Sequence, residues 1–295
     1  MNDPGEVHRA ILPSSPGVWK VGERILSFSE RPHIMGILNV TPDSFSDGFR
    51  FLDPARAEER ALEMEEEGAD SIDIGGESTR PFAPPVDEEE ELRRVIPVIE
   101  RLAGRLRVPI SIDTYKAAVA RAALSAGAEI VNDISGCTFD PRMLEVVAAS
   151  SAGLIIMHTR GTPMEMQRNT RYSSIIPEVI SFLRERLSAA ESFGIPLERV
   201  VLDPGVGFGK DLKGNLEILR NLEQLSVLAR PLLVGTSRKS FIGTILGREA
   251  GERAFGTAAT IALAVAKGAS ILRVHDVRQM RDAAIMAHAV MRPPV

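Results

Sequence analysis

Three segments of the chain share one format: EEEGADSIDIGG (Glu65–Gly76), LSAGAEIVNDISG (Leu124–Gly136) and AVAKGASILRVHD (Ala264–Asp276). In each, a helix-like run stops at Gly-Ala and gives way to a short apolar stretch that ends in polar residues. Glycine just past a helix supplies the left-handed cap that ends it. A short β-branched run behind it reads as a parallel strand buried on both faces. Strands of this kind are expected near His33–Leu38, Ser71–Ile74, Pro109–Ile112, Glu129–Val131, Gly153–Met157, Val200–Leu202, Leu232–Gly235 and Ser270–Val274. Helical periodicity lies between them, as in Ala55–Glu67, Glu88–Leu106, Ala117–Ala126, Ile176–Phe193 and Phe255–Ala266. Eight strands alternating with helices in 295 residues predict an α/β chain folded as a single-domain (β/α)8 TIM barrel. A doubly wound open sheet is the competing arrangement. VWKVGERILSFS reads as a hairpin closing the barrel bottom. Residues 1–30 are therefore expected to form a partly flexible N-terminal extension, 31–290 the barrel, and MRPPV a frayed tail.

The composition, 44% apolar and 25% charged, is that of an ordinary globular domain. A net charge of −5 supplies no basic field for nucleic acid. No run reaches the roughly 18 apolar residues of a membrane helix, and MNDPGEVHRA has no apolar core of a signal peptide. These features predict a cytoplasmic protein. The single cysteine, Cys137, excludes an intrachain disulfide and is expected to be a buried small apolar residue.

Chemistry in such a barrel sits where the strands end. The expected strand ends carry Asn39, Asp73, Asp113, Asn132, Met157-His158, Asp203, Gly235 followed by Ser237-Arg238-Lys239, and Arg273 with His275. One Asp or Asn there is an ordinary helix cap. Polar groups at nearly every strand end imply a site at the barrel mouth. Asp113, Asn132, Asp203 and Lys239 offer acceptors and donors to a flat heterocycle, and a carboxylate facing two adjacent N–H groups makes a bidentate pair. The 2-amino-N3–H edge of a pterin is such a partner. Arg80, Arg273 and His275 suit phosphate oxygens. Asn39 and Asp47 offer oxygen to Mg²⁺, which takes few protein ligands beside substrate phosphate.

The stretch DPGVGFGKD (Asp203–Asp211) looks like a phosphate loop but fails both known spacings. GxxxxGK[ST] would need glycine at Pro204 and a hydroxyl residue at Asp211, and the glycines 205, 207 and 209 do not fit GxGxxG. It reads instead as a strand end aiming Asp203 at a heterocycle, with Phe208 as an aromatic wall.

Seven segments, in order and one per strand end, carry a resemblance: GILNVTPDSFSDG (Gly36–Gly48), DIGGESTRP (Asp73–Pro81), SIDTYK (Ser111–Lys116), VNDISG (Val131–Gly136), DPGVGFGK (Asp203–Lys210), GTSRKSFIG (Gly235–Gly243) and RVHDV (Arg273–Val277). Together they resemble the dihydropteroate synthases. The resemblance implies a homodimeric (β/α)8 barrel of folate biosynthesis. Its substrates would be a dihydropterin diphosphate and p-aminobenzoate, with Mg²⁺ as cofactor and sulfonamides as competitive inhibitors. It implies that Asn39 holds the metal, with Asp47 as the second ligand that the residues themselves suggest. Thr79, Asp113, Asn132, Asp203, Lys239, Arg273 and His275 would contact the pterin diphosphate, and Asp113, Lys239 and Arg273 would be catalytic. Ser78, Arg80, Pro81, Phe208 and Ser240 would surround p-aminobenzoate. Departures from the pattern are Thr159 and Phe82, where glycine is common after GESTRP.

Two other readings share a pterin floor: a methyltetrahydrofolate–corrinoid methyltransferase domain and a non-catalytic pterin-binding homologue. Among the remaining polar residues, His158 is expected to be structural and Lys210 and Lys213 to lie on the surface. Asp87–Glu91 is expected to be a solvated helix start favoured by the helix dipole.

Overall fold

The computed structural model describes residues 17–41 and 53–291. An antiparallel hairpin, β1 (Val18–Val21) and β2 (Arg24–Ser27), precedes the barrel. Eight strands follow: β3 (His33–Asn39), β4 (Ser71–Gly75), β5 (Ile110–Asp113), β6 (Ile130–Asp133), β7 (Gly153–Met157), β8 (Val200–Asp203), β9 (Leu233–Val234) and β10 (Ile271–Val274). They form one parallel sheet in the order β8-β7-β6-β5-β4-β3-β10-β9. A parallel bridge between Leu202 and Leu232 joins the two end strands, and Leu202 N–H donates to Pro231 O at 3.0 Å. The sheet is thus a barrel and not an open doubly wound sheet.

Each barrel strand is followed by helix: α1 (Pro54–Glu66), α2 (Glu88–Leu102), α3 (Ala117–Ala126), α4 (Met143–Ala148), α5 (Ile175–Ser192) and α6 (Leu212–Arg220). After β9 a short α7 (Ser240–Leu246) precedes α8 (Ala254–Ala266), and α9 (Val277–Met291) follows β10. The three Gly-Ala punctuation marks behave as expected. Gly68, Gly127 and Gly268 have φ of +97°, +116° and +93°, the left-handed region that turns the chain from helix to strand.

Two apolar layers hold the barrel. The larger lies between sheet and helices and includes Ile34, Ile72, Ile112, Val131, Leu154 and Leu272. The smaller fills the barrel interior at the N-terminal ends of the strands, with Met35, Ile130, Ile155, Val201, Leu233 and Ile271 capped by Trp19, Val21 and Phe28. Trp19 is buried, and its indole N–H donates to Arg199 O at 2.8 Å. The hairpin therefore plugs the barrel bottom, as the sequence suggests.

Two details differ from expectation. Helix α2 ends at Leu102 rather than Leu106. In the Asp87–Glu91 run, Asp87 is the N-cap and accepts Glu90 N–H at 2.7 Å, but Glu91 is buried and ion-paired with Lys116. Glu91 sits on the inner face of the helix, where the run's composition hides a paired residue. Cys137 is buried, with φ +61°.

Candidate active site

Along a strand, residues two apart share a face. Ile130, Val201 and Ile271 point into the barrel at the bottom, so Asn132, Asp203 and Arg273 point into it one step nearer the mouth. Cross-strand register places Asp113 beside Asn132, and Gly75 beside Asp113. The polar strand ends therefore converge because the strands are in register.

The centre of the group is Arg273. Its Nε donates to Asp73 Oδ2 at 2.6 Å and its Nη2 to Asp113 Oδ2 at 2.7 Å. Asn132 Nδ2 donates to the same Asp73 oxygen at 2.9 Å. Both carboxylates are buried, and their second oxygens, Asp73 Oδ1 and Asp113 Oδ1, have no hydrogen-bond partner. Burial pushes the Asp113 carboxyl up to about 7 against the pull of Arg273. Burial also lowers the Arg273 guanidinium, but Asp73 and Asp113 outweigh it and hold the group above its usual value. Asp203 is likewise raised by burial, opposed by Lys239. Lys239 in turn is lowered by burial to about 8, with Asp203 opposing.

The loop after β8 is shaped by its glycines. Gly205, Gly207 and Gly209 have φ of +69°, +89° and +61°. Asp203 Oδ1 accepts Gly205 N–H at 2.6 Å, so this carboxylate also folds its own turn. Lys239 Nζ donates to Val206 O and lies 4.6 Å from the centre of the Phe208 ring. Phe208 and Lys239 are thus neighbours, as a wall beside the floor.

His275 stands across the mouth. Its Nδ1 lies 2.9 Å from Ser237 Oγ, which also accepts His275 N–H at 3.2 Å. The hydroxyl keeps a second lone pair and its proton, so the Ser237–Nδ1 bond runs in either direction according to the ring tautomer. Burial, with Arg238 and Arg273 nearby, lowers His275 to about 3, so at neutral pH it offers a hydrogen bond and not a charge.

The β4–α2 loop is anchored from behind. Glu77 accepts Tyr115 OH at 2.7 Å, Lys116 Nζ at 2.6 Å and Val86 N–H at 3.2 Å. Ser78 and Thr79 are half-buried, and Arg80, Pro81 and Phe82 are exposed at its tip. Phe82 adopts φ +65°, and its N–H donates to Pro163 O at 3.0 Å. Ser240 is exposed at the start of α7. Asn39 ends β3; its Oδ1 and Asp113 Oδ2 would lie 3.9 and 3.6 Å from a Cβ on Gly75. Asp47 lies outside the described residues.

Asn39, Asp113, Asn132, Asp203, Lys239, Arg273 and His275 therefore meet at one mouth, with Phe208 at its side. Lys210 corrects an expectation. Lys213 is exposed, but Lys210 is buried and contacts His158 Nδ1 at 2.9 Å. His158 is structural as expected, its ring edge-on to Phe182 at 5.0 Å. The sequence places Asp73 and Ser237 at polar strand ends but assigns neither a role in the site. Period two along SIDIG puts Asp73 on the inner face with Gly75, which was the available signal. Ser237 stood only among the polar residues after β9; its partner His275 is 38 residues away.

The sequence matches the model of the pterin-binding enzyme family over residues 35–275. A dihydropteroate synthase of Synechocystis is 49% identical over 273 residues, covering 92% of this chain and 94% of that protein. The Yersinia pestis dihydropteroate synthase, solved with a sulfonamide drug, superposes with a TM-score of 0.88 at 41% identity, covering 92% of this chain and 98% of that one. The Burkholderia cenocepacia enzyme complexed with 7,8-dihydropteroate gives a TM-score of 0.84 at 43% identity, covering 93% and 96%. The chain that folds this barrel and gathers this mouth belongs to the pterin-binding enzyme family.

Proposed function

We propose that this chain is a dihydropteroate synthase of folate biosynthesis. It joins (7,8-dihydropterin-6-yl)methyl diphosphate to p-aminobenzoate, giving 7,8-dihydropteroate and diphosphate. The observation that carries the reading is the pair of buried carboxylates bridged by Arg273, each with an acceptor oxygen still open. Adjacent N–H groups on a flat heterocycle match such acceptors. Asp113, Asn132 and Asp203 bind the pterin, and Thr79 contacts the diphosphate side. Lys239 and Arg273 supply positive charge, and His275 Nε2–H donates to a phosphate oxygen. Phe208, Ser240 and the Ser78-Arg80-Pro81 tip surround p-aminobenzoate.

The methylene C–O bond to diphosphate breaks and a C–N bond to the arylamine forms, with the amine proton released. Departure of diphosphate leaves positive charge on the pterinyl methylene. The nearby carboxylates Asp113 and Asp203 stabilise that charge. An arylamine is neutral at pH 7, so the protein supplies position and field rather than a nucleophile. Among the described residues no cluster of three or more His, Cys, Asp and Glu could hold a metal. A single carboxamide oxygen, Asn39 Oδ1, at the mouth fits Mg²⁺, which binds mainly water and substrate phosphate. When bound, Mg²⁺ neutralises the leaving diphosphate. Asp47 is a second proposed ligand.

Sulfonamides compete for the p-aminobenzoate wall, and the reaction is placed in the cytoplasm. The chain acts as a homodimer through the outer face of α7–α9. There Phe255, Leu263, Met286 and Val290 are 90%, 57%, 64% and 74% exposed, large apolar side chains on the packed pair α8 and α9 that a partner would cover. The reading is tested by incubating the pure protein with the dihydropterin diphosphate, p-aminobenzoate and Mg²⁺. Dihydropteroate is the expected product, and its absence with pterin binding intact refutes the assignment.

A further inference from the structure

We infer that Lys210 is a positioning residue, an internal brace that shapes the loop after β8 and through it seats Lys239 and Phe208. Its test uses the synthase reaction and so rests on that reading. The side chain is 2% exposed, which is rare for lysine unless the amine is fully partnered. Its Nζ lies 2.9 Å from Gly205 O, 2.8 Å from Phe208 O and 2.9 Å from His158 Nδ1. These partners satisfy the amine in either protonation state. An ammonium donates to all three; a neutral amine donates to two carbonyls and accepts from Nδ1–H.

The loop needs such a brace because its peptide planes turn in opposite senses. Left-handed glycines at 205, 207 and 209 direct successive carbonyls different ways. Val206 O accepts Lys239 Nζ, Gly207 O accepts Gln167 Nε2 at 3.2 Å, and Gly209 O accepts Tyr172 OH at 2.9 Å. Gly205 O and Phe208 O turn the other way, to Lys210. The two carbonyls held from within flank the one that seats Lys239, and one of them belongs to the residue whose ring lies beside Lys239. The loop also has no slack against β7. A Cβ on Gly205 would lie 1.9 Å from His158 O. His158 N–H donates to Asp203 O at 2.9 Å, so the histidine that meets Lys210 also ties down the start of the loop. Without the amine, the half-buried Phe208 O loses its partner and Gly205 O keeps only Phe208 N–H at 3.1 Å, and turning either carbonyl toward another donor rotates the neighbouring peptides.

The experiment is Lys210→Met, which keeps the apolar stem and removes the amine. In steady-state assays kcat should fall about 100-fold, the cost of misplacing a group by ~1 Å, and KM for p-aminobenzoate should rise about tenfold. Affinity for the dihydropterin diphosphate should fall less than KM for p-aminobenzoate rises, because Asp113, Asn132 and Arg273 stand on other strands and only Asp203 and Lys239 border the loop. A purely structural role would instead lower the melting temperature and leave both KM values of the folded fraction unchanged. Rescue uses Lys210→Cys in a Cys137→Ala background, which leaves no other thiol. Aminoethylation of the unfolded chain, followed by refolding, should restore the amine and the turnover. Folded Lys210→Met with kcat and both KM values within about twofold of the parent overturns the inference. If Lys210→Met does not fold, His158→Phe decides. It keeps the ring packing and removes Nδ1, and it should shift KM for p-aminobenzoate in the same direction by about threefold. Unchanged kinetics there also overturn the brace. A parent protein that makes no dihydropteroate refutes the synthase reading instead.

Discussion

The two ends of the barrel interior are built from the same strands, one inward step apart, with opposite chemistry. At the bottom Ile130, Val201 and Ile271 pack under Trp19; at the mouth Asn132, Asp203 and Arg273 take their places. Fully burying each apolar side chain at the bottom stabilises by about 1.5–3 kcal/mol. The mouth buries carboxylates whose desolvation the Arg273 pairs offset only in part, since Asp113 is still pushed up to about 7. One end therefore holds the fold and the other stores the electrostatics of the reaction. Mutations at the two ends should separate cleanly.

The largest effect on stability belongs to the bottom. Trp19→Ala should cost about 3–5 kcal/mol, read by chemical denaturation, because it empties the plug and removes the bond to Arg199 O. The folded fraction should keep kcat/KM within about twofold. A large loss of kcat/KM in folded protein would break the division between the ends.

The matching change at the mouth is Asp203→Asn. It removes a buried charge but keeps size, so the melting temperature should hold or rise. Affinity for the dihydropterin diphosphate should fall about 100-fold, roughly 3 kcal/mol, as expected for losing a charged hydrogen-bond acceptor. Calorimetric titration beside a thermal melt reads both. Loss of stability with unchanged affinity would reverse the assigned roles.

This contrast also explains what the sequence disclosed. Punctuation by Gly68, Gly127 and Gly268 and the polar strand ends are local signals, and from them the barrel and most of its mouth could be read. Lys210 and Glu91 escape a local reading because a lysine or glutamate carries no local sign of burial. Their partners, His158 and Lys116, are 52 and 25 residues away. Asp73 was visible as a strand residue, but its tie to Arg273 spans 200 residues. What tertiary pairing alone decides, the chain does not display in order.

A third test uses pH. Asp113 must be ionised to accept from the pterin, and Lys239 protonated to offer charge. With values of about 7 and about 8, kcat/KM should rise through the first and fall through the second, a narrow bell. Stability should run the other way on the acid limb. The folded Asp113 lies above an unfolded carboxyl near ~3.9, so the folded state binds the extra proton between about 4 and 7. Its contribution is present below that window and lost as pH rises through it. Asp113→Asn should flatten this part of the stability profile, while Trp19→Ala should only displace the profile downward. An unchanged slope in Asp113→Asn would mean that the mouth does not trade stability for charge.

The smallest effect is expected at the rim, which belongs to neither end. Phe82 is 61% exposed and holds φ +65°, a left-handed conformation that costs a bulky residue roughly 1–2 kcal/mol. Phe82→Gly relieves that strain, gives up little buried surface and keeps the N–H bond to Pro163 O. Glycine also widens the unfolded ensemble, which offsets about 0.5–1 kcal/mol of the gain. The net should be a stabilisation of at most about 1 kcal/mol, seen as a small rise in melting temperature. Because the loop stays anchored at Glu77, Val86 and the Phe82 N–H bond, pterin affinity should not move. A loss of more than about 1 kcal/mol would show that the Phe82 ring supports the rim, extending the structural role of the bottom to the far edge of the mouth.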